Sequence, residues 1–175
     1  MEKTITPIEW LVLEKQDNKM LLLSKYGLDC QQYHVNYEAV TWEDCSLRKW
    51  LNTDFLNKAF DAEDKKQIQS SVVQADGNPD YETDPGNITI DDVFLLSIKE
   101  VEIFFPNDRE RICRPTENAS KKAWMIGGAC CWWLRSPGYG SKDAADVFYD
   151  GSVGFDGVSV DTSAVRPALW INLKS

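Results

Sequence analysis

Residues 144–173 read AADVFYDGSVGFDGVSVDTSAVRPALWINL, with two Asp-Gly pairs, at Asp150-Gly151 and Asp156-Gly157, each flanked by alternating apolar and polar residues. Asp-Gly supplies the positive φ that a tight hairpin turn needs, and alternation places every second side chain on one sheet face, so the stretch predicts an antiparallel meander. Its final strand, with Val165, Ala168, Trp170 and Ile171, is apolar enough for the interior. Pro167 within it cannot donate to a ladder and calls for an edge or a bulge. At the other end of the chain, EWLVLEK from Glu9 and KMLLLSKY from Lys19 are apolar runs separated by the polar QDN, which predicts a hairpin.

Between these strands the period changes. Leu47, Trp50, Leu51, Phe55 and Ala59 recur at three and four residues, one apolar helical face, with Ser46 or Thr41 as its cap; Thr41 and Asp44 have capping-box spacing. Thr53-Asp54 predicts a split into two short helices, because both residue types favour caps over helix interiors. Asp61 and Asp64 repeat the box spacing. A strand over DVFLLS leads to Ser97, three residues before Glu100, which predicts a capped helix over IKEVEIFF. The Gly-, Pro- and Asp-rich stretch QADGNPDYETDPGN predicts a surface loop, and residues 106–128 a long ordered excursion with one helical turn at NASKKAW. Strands at both ends around central helices define an α+β fold.

A length of 175 residues with 43% hydrophobic content suits one globular domain, taken as 1–175. Nineteen Lys and Arg against 28 Asp and Glu leave a formal charge of -9, a field that repels phosphate backbones and anionic membranes, so nucleic acid is a poor partner. No run of 18 apolar residues is present and MEKTITPIEW lacks the plan of a secretory signal. The chain therefore reads as soluble and without membrane insertion, cytoplasmic by default and cell-surface if a leader lies upstream. Five cysteines, an odd number without repeated spacing, predict free buried thiols rather than a disulfide framework.

The chemistry-bearing residues are few. Cys130 and Cys131 are adjacent, and on an extended strand their side chains diverge, so they do not grip one metal. The same alternation puts one of Trp132 and Trp133 inside and the other on the opposite face, where burying one indole is worth about 1.5–3 kcal/mol. Arg135 and Arg166 sit in apolar text, and a buried guanidinium must be neutralised or hydrogen-bonded. Each is expected to tie loops together through carbonyls or carboxylates and to stack on a Trp; Arg135 also competes as a cleft residue for an anionic ligand. Asp76, Asn78 and Asp80 have the spacing of the first ligands of an EF-hand loop, but Tyr81 stands where the loop needs Gly and Asn87 where it needs Glu, so calcium is a weak candidate and no cofactor is expected. His34 is the lone histidine, without a nucleophile signature around it, and nothing nominates a carboxylate pair for glycoside hydrolysis. No catalytic residue is assigned. Tyr139, Tyr149 and Asp150 on the meander are the ligand-contact candidates, since amphipathic rings make good contact surfaces.

The segments IEWLVL, LLLSKYGLD, TWEDCSLRKWLN with FLNKAF, DDVFLLSIKE, WWLRSPG, DGSVG and VRPALWI occur in an order that resembles a bacterial family of domains of unknown function. That family is similar in fold to C-type lectin-like domains, including the branch of formylglycine-generating enzymes and retroelement-diversified binding proteins. The resemblance implies two helices packed on a twisted antiparallel sheet, with the first and last strands paired, and a structural signature of Trp50, Trp132, Trp133, Arg135, Arg166 and Trp170. Family members often carry a short segment ahead of the IEW strand, which leaves open whether residue 1 is a native start. The function expected is a noncatalytic module binding a protein or glycan. The alternatives are an oxidase-like enzyme of the formylglycine-generating type, whose own cysteine motif is missing here, and a purely structural domain of a larger surface or phage protein.

Overall fold

The computed structural model describes residues 6–173. The opening hairpin forms: β1 (Trp10–Lys15) and β2 (Lys19–Ser24) pair antiparallel around the polar turn, where Gln16 N donates to Lys19 O at 2.9 Å. A short strand, β3 (Asp29–Cys30), precedes the helical stretch. There α1 (Ser46–Trp50) runs through a π-helical turn (Leu51–Phe55) into α2 (Leu56–Ala59), so Thr53-Asp54 does not divide the helix. Thr53 Oγ1 donates back to Lys49 O at 2.7 Å and Asn52 Nδ2 to Arg48 O at 3.0 Å, which satisfies the turn locally instead of ending it. The cap also differs from expectation. Cys45 Sγ, rather than Ser46 or Thr41, accepts from Arg48 N, while Ser46 Oγ is occupied by Val35 N at 3.1 Å.

Next, α3 (Ala62–Gln67) starts at Asp61 with the expected reciprocal box to Asp64. Strands β4 (Ile68–Gln69), β5 (Ser71–Val73) and β6 (Thr89–Asp91) follow, the last two pairing around the aperiodic loop. DVFLLS is not a strand: it is buried, but only Phe94 bridges, to Ala168. Ser97 and Glu100 cap α4 (Ile98–Phe104) as predicted. The excursion contains α5 (Asp108–Arg111), α6 (Glu117–Ser120) capped by Thr116, and a hairpin of β7 (Met125–Ile126) and β8 (Ala129–Cys130). The chain closes with β9 (Trp132–Pro137), β10 (Asp143–Val147), β11 (Val153–Gly157), β12 (Ala164–Val165) and β13 (Ala168–Asn172).

Two main sheets result, ordered β1-β2-β13-β4 and β11-β10-β9-β12-β3. The meander is β9-β10-β11, and only Asp150-Gly151 turns a hairpin, with Gly151 at φ 87°. Asp156-Gly157 instead ends β11: the chain turns away and returns as β12, parallel to β9. The strand break at Pro167 lets the chain leave one sheet as β12 and enter the other as β13, which meets the proline's need without a bulge. β13 pairs with β2, so the closing strand meets the second strand of the opening hairpin rather than the first. The architecture is thus α+β, rich in strands with short helices.

The core lies where the sheets and helices meet, and β9 is buried on both faces. Trp132 and Trp133 are each 0% exposed, contrary to the expectation that only one is inside. Their indole N–H groups donate to Arg111 O at 3.1 Å and Gln31 O at 2.9 Å, which removes the penalty of burying a polar handle. Arg135 fastens the aperiodic loop and the start of α4: its guanidinium donates to Gln74 O, Leu95 O, Asp76 and, through two nitrogens, both Glu100 oxygens at 2.5 and 3.0 Å. It lies 5.9 Å from the Phe94 ring centroid, so its aromatic partner is Phe rather than Trp. Arg166 spans the sheet junction, donating to Ser24 O and Lys25 O, and stacks 4.8 Å from the Trp132 centroid. Trp50 and Trp170 are half-buried against the core.

Candidate functional site

The face of the meander opposite the aperiodic loop holds a cavity of about 520 Å³. Trp124, Phe148 and Tyr149 wall it, Cys131 and Asp156 lie at its floor, and Thr162 and Ser163 close one side. Each wall is positioned by backbone. Trp124 N donates to Thr162 O at 3.1 Å at the root of the β7-β8 hairpin. Phe148 N donates to Ser152 O at 2.8 Å across the Asp150-Gly151 turn, which fixes Phe148 and Tyr149. The tip of the Phe148 ring closes on Gly154, where a Cβ would stand 2.4 Å from it, so a larger residue there would displace the ring. Trp124, 51% exposed, meets Tyr149 edge to face with centroids 5.4 Å apart.

Beneath this floor lies Asp146. The register sets Asp146 opposite Trp133 on β9 and Gly154 on β11, so by the two-residue period Cys131, Phe148 and Asp156 project on the same face. Asp146 is 0% exposed and, among the described residues, neither carboxylate oxygen has a hydrogen-bond partner. Burial raises its pKa to about 8, and the nearby Asp156 pushes the same way. Burial likewise holds the Cys131 thiol up at about 11, with Asp146 contributing. Among the described residues, no Lys or Arg lines the cavity, so its acidic floor has no internal counterion.

Other depressions are satisfied from within. The cavity beside α1 contains Asp91, whose carboxylate accepts from Trp42 Nε1, Arg48 Nε and Thr89 Oγ1. A larger cleft of about 640 Å³ near Pro7, Tyr26 and Thr116 contains no buried unpartnered group among the described residues.

Of the ligand-contact candidates, Tyr149 lines the cavity. Asp150 stands exposed at the turn, accepting from Ser152 N and Oγ, and these bonds lower its pKa. Tyr139, 66% exposed, lies on the other face of the hairpin in a three-ring cluster with Tyr81 and Phe155, centroids 5.1–6.0 Å apart. Arg135 is committed to its buried ion pairs and does not enter a cleft. The three calcium candidates do not converge: Asp76 accepts from Arg135 and Ser97, Asn78 donates to Pro137 O, and Asp80 is exposed. Among the described residues, no group of three or more His, Cys, Asp or Glu is placed to hold a metal ion. His34 Nδ1 accepts from Ser46 N at 3.2 Å and its Nε2 faces Glu38 at 3.0 Å, an anchoring role.

All five cysteines are free and buried. Cys130 and Cys131 diverge, and the partner of Cys130 is Cys113, its opposite residue in an antiparallel bridge. The Cys130 thiol's bond toward Cys113 lowers Cys113 to about 7, aided by Arg166, and raises Cys130. Trp124, Phe148, Asp146 and Asp156 were not visible as a site from sequence. The one signal was Asp146 itself, a carboxylate set between Ala145 and Val147 in an otherwise apolar strand.

Fold and cavity together define a strand-rich α+β domain with an aromatic-walled, acid-floored pocket. The chain belongs to the family described as Domain of unknown function (DUF6273), which matches residues 17–173. Comparisons with curated proteins and with solved structures gave no match. Among the described residues, no helix is long and apolar enough to cross a membrane.

Proposed function

We propose that this chain is a noncatalytic binding module on a C-type lectin-like scaffold of bacterial type, engaging a protein or glycan group through the Trp124–Tyr149 pocket. Support for the scaffold comes from the ordered WWLRSPG to VRPALWI segments, and from a closing strand that shares a sheet with the opening hairpin. One observation carries the binding role: a half-exposed Trp held against Tyr149 over a cavity of about 520 Å³, with an unpartnered carboxylate beneath it. Exposed indoles and phenols at a concavity give contact area at low entropic cost, and they are enriched where proteins bind ligands. The module needs no metal and no turnover.

Probing glycan and peptide arrays with the wild type and Trp124→Ala tests the reading. Capture by the wild type that disappears in the variant is expected. Capture that survives Trp124→Ala but fails in Tyr139→Ala would move the site to the Tyr81-Tyr139-Phe155 cluster and overturn it. The oxidase-like alternative would rest on Cys113 and Cys130, but these thiols are 1% and 0% exposed and line none of the depressions described above. Copper-dependent oxygen consumption by the purified protein would favour that enzyme over the module.

A further inference from the structure

The Asp146 carboxylate is the least explained group in the molecule. Its two oxygens are sealed from solvent and, among the described residues, bonded to nothing, on a strand flanked by apolar neighbours. A chain that needed only to fill this position would gain from an apolar residue of similar size. The carboxylates of Asp146 and Asp156 share one sheet face, and Asp156 reaches the cavity surface above. Around that acid floor stand the rings of Trp124, Phe148 and Tyr149.

Negative charge beside aromatic rings attracts a weakly hydrated cation; here Asp156 supplies that charge at the cavity surface, while the buried Asp146 keeps its proton below about pH 8 and a cation seated above would favour its ionisation. A neutral ligand could hydrogen-bond to Asp156 but would leave its charge without a counterion in the cavity. Buried elsewhere in this chain, Asp91 is compensated by Arg48 at 2.7 Å, which shows how the fold treats a carboxylate whose partner is internal.

We infer that the pocket takes an organic cation, a quaternary or methylated ammonium group seated against Trp124, Phe148 and Tyr149, with Asp156 as its counterion and Asp146 behind it. The inference rests on the pocket being the ligand site, and it adds the ligand's chemical class. An ammonium of this kind is carried by a choline headgroup or by a methylated lysine side chain.

Calorimetric titration of the intact chain with choline and with its neutral isostere 3,3-dimethylbutan-1-ol tests the charge requirement. Choline should bind at least about tenfold tighter than the isostere, and Trp124→Ala and Asp156→Asn should each weaken it by about tenfold or more. Both substitutions are at the cavity surface, and circular dichroism checks that the variants fold. Equal binding of the two compounds, or choline binding that neither substitution changes, overturns the inference. If neither compound binds while array capture still depends on Trp124, the cation class falls and the pocket reading stands. If capture is also independent of Trp124, both fall. A parallel titration with Nε-trimethyl-lysine distinguishes the sources: the tighter of the two cations identifies the natural carrier.

Discussion

Replacing Asp146 by Asn should change how stability depends on pH. The carboxyl has a native pKa of about 8 against an ordinary 3.8, because burial disfavours its charge and Asp156 adds repulsion. Between those values the native state keeps a proton that the unfolded chain has released, so the unfolded state binds fewer protons and stability falls as pH rises. Each pH unit in that window costs about 1.4 kcal/mol, or about 4 kcal/mol from pH 4 to pH 7, and the loss levels off above the native pKa. An amide of the same shape cannot ionise and lacks this slope. Urea unfolding followed by Trp fluorescence at pH 5, 6, 7 and 8, on wild type and Asp146→Asn, measures the difference between the two, in which the other titrating groups cancel. The variant should gain on the wild type by about 1.4 kcal/mol per pH unit. Two curves that stay parallel within about 0.3 kcal/mol from pH 5 to pH 8 would refute a buried, uncompensated carboxyl.

Arg135→Met should lower stability by about 3–5 kcal/mol, since it strands Glu100, Asp76, the buried Leu95 carbonyl and the Gln74 carbonyl, and a loss below about 1 kcal/mol in urea unfolding would contradict the fastening role. Gly151→Ala places a Cβ 1.8 Å from Asp108 O at a φ of 87°, so thermal unfolding should report a loss of at least about 1–3 kcal/mol; an unchanged midpoint would mean that the turn differs. Thiol titration with a disulfide reagent should find five slow cysteines in the native protein and five fast ones in denaturant, and two or more fast thiols under native conditions would contradict their burial.

Much of the scaffold was legible because its signals are local. The QDN hairpin, the Asp61-Asp64 and Ser97-Glu100 boxes and the Asp150-Gly151 turn each depend on residues within a few positions of one another. What failed depended on distant partners. Asp156-Gly157 has hairpin chemistry, but β11 is an edge strand and the returning chain pairs with β9 instead of extending the meander. Cys45 caps α1 because Ser46 is claimed by Val35 from another segment. DVFLLS has strand composition, yet Phe94 alone finds a ladder partner. The pocket was the least legible of all, since Trp124, Phe148 and Asp156 come from three segments whose meeting is a property of the sheets.

Three buried ionisable groups separate what the architecture explains from what it leaves unpartnered. Arg135 makes five hydrogen bonds, to two carboxylates and two carbonyls, so each element it touches is held in place by its charge. Among the described residues, Arg166 has no carboxylate within salt-bridge range, and burial lowers its pKa, but it rests on Trp132 and donates to two carbonyls where β12 passes into β13. Both arginines can therefore be derived from the need to join loops and sheets. Asp146 joins nothing. A carboxyl with no bond, in a sheet that would pack better with an apolar side chain, lowers stability as pH rises toward its native pKa. Under the proposed binding role, its position beneath the aromatic-walled cavity accounts for it through binding rather than through stability.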